Sequence, residues 1–193
     1  PYGIQDFVQV IEQNCYYVDK TAYIPKLEDC PNNLFCIRPR RFGKSVFLSM
    51  LHAYYDCRTK DKFQEWFSDL WIGKHPTPLQ GRYQVMHLDF SQVGGSIENL
   101  EEKFNFYLGV QLNGFIRDYL DFYSEKVQKQ VEDAKDAGVK LAIIQSEARS
   151  KGYPLYLIID EYDNFTNTVL NEQGEDVYWA ITHAEGFYRD IFK

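Results

Sequence analysis

The stretch from Leu34 to Tyr54, LFCIRPRRFGKSVFLSMLHAY, admits few folds, because its patterning changes twice in quick succession. Leu34, Phe35, Cys36 and Ile37 form an apolar run short enough for a strand buried on both faces of a parallel sheet. Pro39 and Gly43 break the run. Phe47, Met50, Leu51 and Tyr54 then recur at helical spacing, so a helix running on from Ser45 has one apolar face to pack on the sheet. Strand, loop and helix in immediate succession make a phosphate-binding loop, and Gly43-Lys44-Ser45 has the residue types for its end. A glycine lets the backbone approach phosphate oxygens, and the helix N-terminus adds its dipole. Lys44 supplies a point charge for β- and γ-phosphates, and the Ser45 hydroxyl supplies a ligand for magnesium. The general pattern G-x-x-x-x-G-K-[ST] places its first glycine at Arg38, where this chain departs from it. Taken alone, GKS also reads as an ordinary helix start preceded by glycine.

A second motif lies at LYLIIDEYD, Leu155 to Asp163. Five apolar residues lead directly into Asp160 and Glu161. A buried strand ending in two adjacent carboxylates sets them at the C-terminal edge of an open α/β sheet, where such sheets bind ligands. Asp160 is placed to hold magnesium through water, and Glu161 to orient or deprotonate the attacking water. The plain alternative is a strand ending in solvated acids. Together the two motifs point to a P-loop NTPase, an α/β three-layer sandwich with a mostly parallel sheet. In that reading Lys44 and Glu161 are catalytic, and Ser45 and Asp160 hold Mg2+. Arg40, Arg41, Phe42, Gly43, Lys44, Ser45 and Val46 surround the phosphates of ATP. Arg38, Arg40 and Arg41 either offset phosphate charge at the rim or anchor the loop to nearby carboxylates.

A chain of 193 residues suits one α/β domain with a real core. Its net charge of −7 opposes wholesale nucleic-acid binding, since a phosphate backbone would meet net repulsion, and leaves only local patches for it. Cys15, Cys30, Cys36 and Cys57 form no C-x-x-C pair and read as reduced thiols of a cytoplasmic protein. No apolar run approaches the roughly 18 residues that would span a bilayer.

Elsewhere, Ile4, Phe7, Val8 and Ile11 have helical spacing, and Thr21 reads as the N-cap of a helix carrying Ile24 and Leu27. Asp19 and Lys20 either lie near the nucleotide or pair on the surface. Phe63, Trp66 and Phe67 mark a short helix, followed by a connection through Gly73, Pro76 and Pro78. Tyr83 to Phe90 reads as a strand whose terminal Asp89 and Ser91 either reach the site or cap their own turn. Ser96 opens a long helix with a stripe of Leu100, Phe104, Leu108, Leu112, Phe115 and Tyr119. Glu125 to Lys140 reads as a solvated helix and loop broken at Gly138, and Leu141 to Ser150 as a helix stopped by Gly152 and Pro154. Val177 to Phe192 reads as a final helix.

Five segments in this order, Gly3 to Phe7 (GIQDF), Tyr17 to Thr21 (YVDKT), Arg38 to Ser45 (RPRRFGKS), His87 to Ser91 (HLDFS) and Asp160 to Asp163 (DEYD), resemble the predicted AAA-ATPase-like family of bacterial proteins. The resemblance covers nearly the whole chain, and in that family an arginine in place of the first loop glycine is ordinary. Asn164-Phe165 replaces the proline-containing sequel usual after D-E-Y-D. The resemblance implies a PD-(D/E)xK nuclease-like domain following the ATPase domain, with DNA reached through it. It also implies that residues 1–193 are an N-terminal fragment whose sensor strand, between the P-loop strand and the Walker B strand, is missing. The sheet is then expected to be incomplete, with apolar edges that another element must cover.

Three functions follow. The first is Mg-dependent ATP hydrolysis coupled to movement of a partner domain. The second is a nucleotide-gated interaction module with negligible turnover. The third is a DNA-binding accessory in which Arg38, Arg40, Arg41 and Lys44 meet nucleic-acid phosphates.

Overall fold

A computed structural model of the chain describes residues 3–30, 34, 36, 42–92 and 100–161. It divides into two compact units, Pro1–Val85 and Met86–Lys193. Phe35 and Ile37 of the expected first strand, the three arginines of the loop and the expected final helix lie outside the described residues.

The first unit is built on aromatic packing between short helices. Helix α1 (Phe7–Glu12) begins at Asp6, whose carboxylate accepts from the Gln9 N–H at 2.8 Å. The same carboxylate accepts from the Ser49 hydroxyl at 3.0 Å, and that hydroxyl accepts from the Phe7 N–H at 2.8 Å, so the cap also ties α1 to α3. Helix α2 (Ile24–Glu28) follows a 3-10 turn at Thr21–Tyr23. Thr21 is therefore not the cap expected for α2: its hydroxyl donates to Asp19 at 2.6 Å and accepts from the Ile72 N–H at 3.1 Å.

Helix α3 (Lys44–Tyr55) buries the expected stripe of Phe47, Met50, Leu51 and Tyr54. The Phe67 ring, from α4 (Phe63–Phe67), stacks on Phe7 at 5.0 Å and meets Tyr54 edge-on at 5.7 Å. Each such ring, fully buried, contributes about 1.5–3 kcal/mol. Gly73 belongs to α5 (Trp71–Lys74) rather than to a loop, because α5 presses on the end of α4. A Cβ on Gly73 would stand 1.9 Å from the Phe67 carbonyl oxygen.

The second unit carries most of strand β1 (Gln84–Asp89), then α6 (Leu100–Asp118), α7 (Glu125–Asp133), α8 (Ala137–Ser150) and strand β2 (Leu155–Asp160). Phe104, Leu108, Leu112, Phe115 and Tyr119 are buried along the predicted stripe. Helix α8 packs against α6 and α7, with Ala137, Ile144 and Ala148 buried. The break before α8 falls at Ala134 to Asp136, not at Gly138. Asp136 is the N-cap, accepting from the Val139 N–H at 2.9 Å, which leaves Gly138 inside the first turn.

Nor is Lys140 solvated, as its charged neighbourhood implied. It is 5% exposed, and its ammonium donates to Asn113 Oδ1 at 3.0 Å and to the Val131 and Glu132 carbonyls, satisfying acceptors at the end of α7. Burial pushes its pKa down, and Glu132 and Asp133 pull against that shift.

Helix α8 stops as its sequence predicts. Gly152, at φ +76°, donates to the Arg149 carbonyl, and Tyr153 donates to that of Ala148, the paired bonds of a glycine-terminated helix. The chain then enters β2, which pairs in parallel with β1 in a two-stranded sheet. The mixture of helices with a small parallel sheet is consistent with an α/β fold. Leu157 is exposed, so β2 is only partly the buried strand its apolar run implied, and Ile158 and Asp160 are its buried residues. Among the described residues, no helix is long and apolar enough to cross a membrane.

Candidate functional site

The described residues of the expected phosphate loop, Phe42 to Val46, lie in the first unit. Phe42 is exposed, and Gly43 follows it at φ +74°, in the left-handed region where a side chain is disfavoured. Gly43 is the N-cap of α3 and provides no side-chain hydrogen bond to it. Lys44, Ser45 and Val46 form the helix's first turn and are half-buried. The start of α3 is thus a helix N-terminus, partially positive, entered through a glycine whose backbone admits a close approach. That geometry suits a phosphate group.

The far end of α3 is anchored by charge. Asp56, 1% exposed, accepts from the Arg58 N–H at 2.9 Å and from the Arg58 guanidinium at 2.8 Å, with His52 Nε2 at 3.2 Å. Burial alone would raise the Asp56 pKa. The hydrogen bonds of His52 and Arg58 and the Arg58 charge outweigh it and hold the carboxyl down at about 2. Asp56 also forms a parallel bridge with Tyr83, just before β1.

Beside the loop lies a segment the sequence left open. Asp19 and Lys20 do not pair with one another. Asp19 accepts at one carboxylate oxygen from the Thr21 N–H and hydroxyl, at 2.8 and 2.6 Å, and at the other from the Trp71 N–H at 2.7 Å. With Thr21 bound to the Ile72 N–H, the outer two residues of Asp19-Lys20-Thr21 cap the start of α5. Lys20 between them turns to Gly43, with its Nζ 3.5 Å from where a Cβ on that glycine would stand.

Asp160 and Glu161 lie in the second unit, at the C-terminal end of β2. Asp160 is 7% exposed and its Oδ1 accepts from the Glu161 N–H at 2.9 Å. Glu161 has φ +52°, a conformation costly for a residue with a Cβ and concentrated at functional sites. No spacing rule in the sequence signals it. In a parallel pair Asp89 closes β1 at the same edge, but its carboxylate accepts from the Ser91 N–H at 2.9 Å and its carbonyl from the Tyr107 hydroxyl. The turn-capping reading of Asp89 and Ser91 therefore accounts for those contacts. Arg40 and Arg41 lie outside the described residues.

A family model described as Predicted AAA-ATPase matches residues 1–193. An uncharacterized protein in the vnfD 5′ region of Azotobacter chroococcum mcd 1 is 27% identical over 169 residues, 84% of this chain. The chain spans 28% of the length of that relative. No solved structure matches.

Proposed function

Because the chain belongs to the predicted AAA-ATPase family, we propose that it has a P-loop α/β fold, binds ATP with Mg2+ and hydrolyses the terminal phosphate. The observation that carries the reading is the start of α3, where a left-handed glycine without a capping side chain leads into Lys44 and Ser45. These residues fit a triphosphate: backbone N–H groups and the helix dipole meet phosphate oxygens, and Lys44 adds a charge. Phe42 and Val46, with Arg40 and Arg41, border the nucleotide. Ser45 would supply magnesium with an oxygen ligand of the kind that hard cation prefers, and Asp160 would hold it through water. When bound, magnesium neutralises charge developing on the transferred phosphoryl group. Glu161 accepts a proton from the attacking water or orients it, held in place by its strained backbone and its N–H bond to Asp160.

We further propose that turnover is coupled to movement of a PD-(D/E)xK nuclease-like partner domain, through which DNA is engaged, in the cytoplasm. The experiment is Mg-dependent ATP binding and phosphate release by the 193-residue chain, Lys44→Ala and Glu161→Gln. Lys44→Ala is expected to lose binding, and Glu161→Gln to bind ATP but release phosphate about a hundredfold more slowly or worse. Equal phosphate release by wild type and Glu161→Gln, with ATP still bound, would leave a nucleotide-gated module in place of a hydrolase.

A further inference from the structure

We propose that Lys20 is a second phosphate-binding ammonium of this site, acting alongside Lys44 on the polyphosphate of the nucleotide. The proposal rests on the nucleotide reading above. Its first support is placement: Lys20 Nζ lies 3.5 Å from the Cβ position of Gly43, over the glycine that opens α3, and Lys44 is the next residue. Its second support is how that placement is enforced. Asp19 and Thr21 are both bonded to the first N–H groups of α5, at 2.7 and 3.1 Å, so the backbone carrying Lys20 is clamped on either side. A lysine held this way has given up backbone freedom before any ligand arrives, which lowers the ordering cost of binding.

The third support is charge. The Lys20 ammonium makes no hydrogen bond or ion pair with any described residue. Its sequence neighbour Asp19 has both carboxylate oxygens engaged by donors of Thr21 and Trp71. Tyr17 offers no counter-charge, since burial, followed by the charge of Asp19, pushes its phenol up to about 12. The Lys20 ammonium and the positive helix terminus opened by Gly43 lie side by side and repel one another. A polyphosphate is a ligand chemistry that offsets both.

The test titrates the full 193-residue chain with ATP and with ADP, in the presence of magnesium and at several salt concentrations. The variants are Lys20→Met, Lys20→Arg and Lys44→Ala, each also melted without nucleotide. Lys20→Met is expected to weaken ATP binding by about tenfold to a hundredfold, the range for a hydrogen bond between charged groups. It should also flatten the salt dependence of affinity and leave the nucleotide-free melting temperature unchanged. Lys20→Arg, which keeps the charge, should recover most of the affinity. If Lys20→Met binds ATP as wild type does while Lys44→Ala does not, Lys20 has no such role and the nucleotide reading stands. If Lys20→Met melts lower and Lys20→Arg restores no affinity, the residue is structural and the proposal fails. If wild type and Lys44→Ala bind ATP equally, or neither binds, the nucleotide reading falls and takes the Lys20 proposal with it.

Discussion

Replacing Asp56 by asparagine asks whether α3, which presents Gly43-Lys44-Ser45 at one end, is held at the other by a buried charge. The carboxylate is 1% exposed and accepts from the Arg58 main chain, the Arg58 guanidinium and His52. Its pKa falls from 3.8 to about 2 on folding, which corresponds to roughly 2 kcal/mol in favour of the folded, ionised state. The unfolded chain takes up its proton first as pH falls. This contribution is therefore fully present above pH 3.8 and is lost as pH drops through the folded value of about 2. Asparagine keeps the size and one acceptor but cannot follow that titration. Urea unfolding read by the three tryptophans should place Asp56→Asn about 2 kcal/mol below wild type at pH 7. At pH 3 the gap should shrink by roughly 1 kcal/mol, because the wild-type advantage is then partly titrated away. A gap of the same size at both pH values would refute the reasoning, since it would show that packing, and not the carboxylate's charge, holds that end of the helix.

Gly73→Ala should cost on the order of 3 kcal/mol in the same urea assay, because its Cβ would meet the Phe67 carbonyl oxygen at 1.9 Å and that neighbour is backbone. A neutral result would mean that α5 does not press on α4. Lys140→Met keeps the aliphatic stem but strips the donor from the Val131 and Glu132 carbonyls and from Asn113, and should cost about 1–3 kcal/mol. Unchanged stability would show those acceptors to be satisfied by other means. Gly43→Ala has room, with Lys20 Nζ 3.5 Å away, so its folding cost is the left-handed strain of about 1–2 kcal/mol. ATP titration of that variant should show a loss beyond the melting shift, and ATP binding equal to wild type would argue against close backbone approach at this glycine.

The sequence revealed what is local. A stripe of Phe47, Met50, Leu51 and Tyr54, or of Phe104, Leu108, Leu112 and Phe115, reports its own helix because three- and four-residue spacing puts those side chains on one face. Gly43 before Lys44 and Gly152 after Ser150 mark helix ends for the same reason: the backbone conformation they permit is a property of the residue itself. Partners distant in the chain stayed hidden. Lys140 looked solvated among Glu132, Asp133 and Asp136, because nothing in its own neighbourhood says that Asn113 and the end of α7 will close over it. Glu161 carries no mark of its left-handed backbone, since a side chain that resists φ +52° gives no positive signal for adopting it.

Asp19-Lys20 shows most directly why proximity in sequence misleads about charge. Adjacent opposite charges invite the reading that each neutralises the other. The carboxylate instead answers two kinds of donor, the N–H and hydroxyl of Thr21 and the Trp71 N–H 52 positions further on. A carboxylate's acceptor capacity is finite, and backbone N–H groups at a helix start compete for it with any lysine nearby. Once α5 has claimed Asp19, the folded chain retains a lysine whose charge is directed at Gly43. Whether a basic residue is available to an anionic ligand is thus decided by where its neighbouring acids form their hydrogen bonds, which only the tertiary structure reveals.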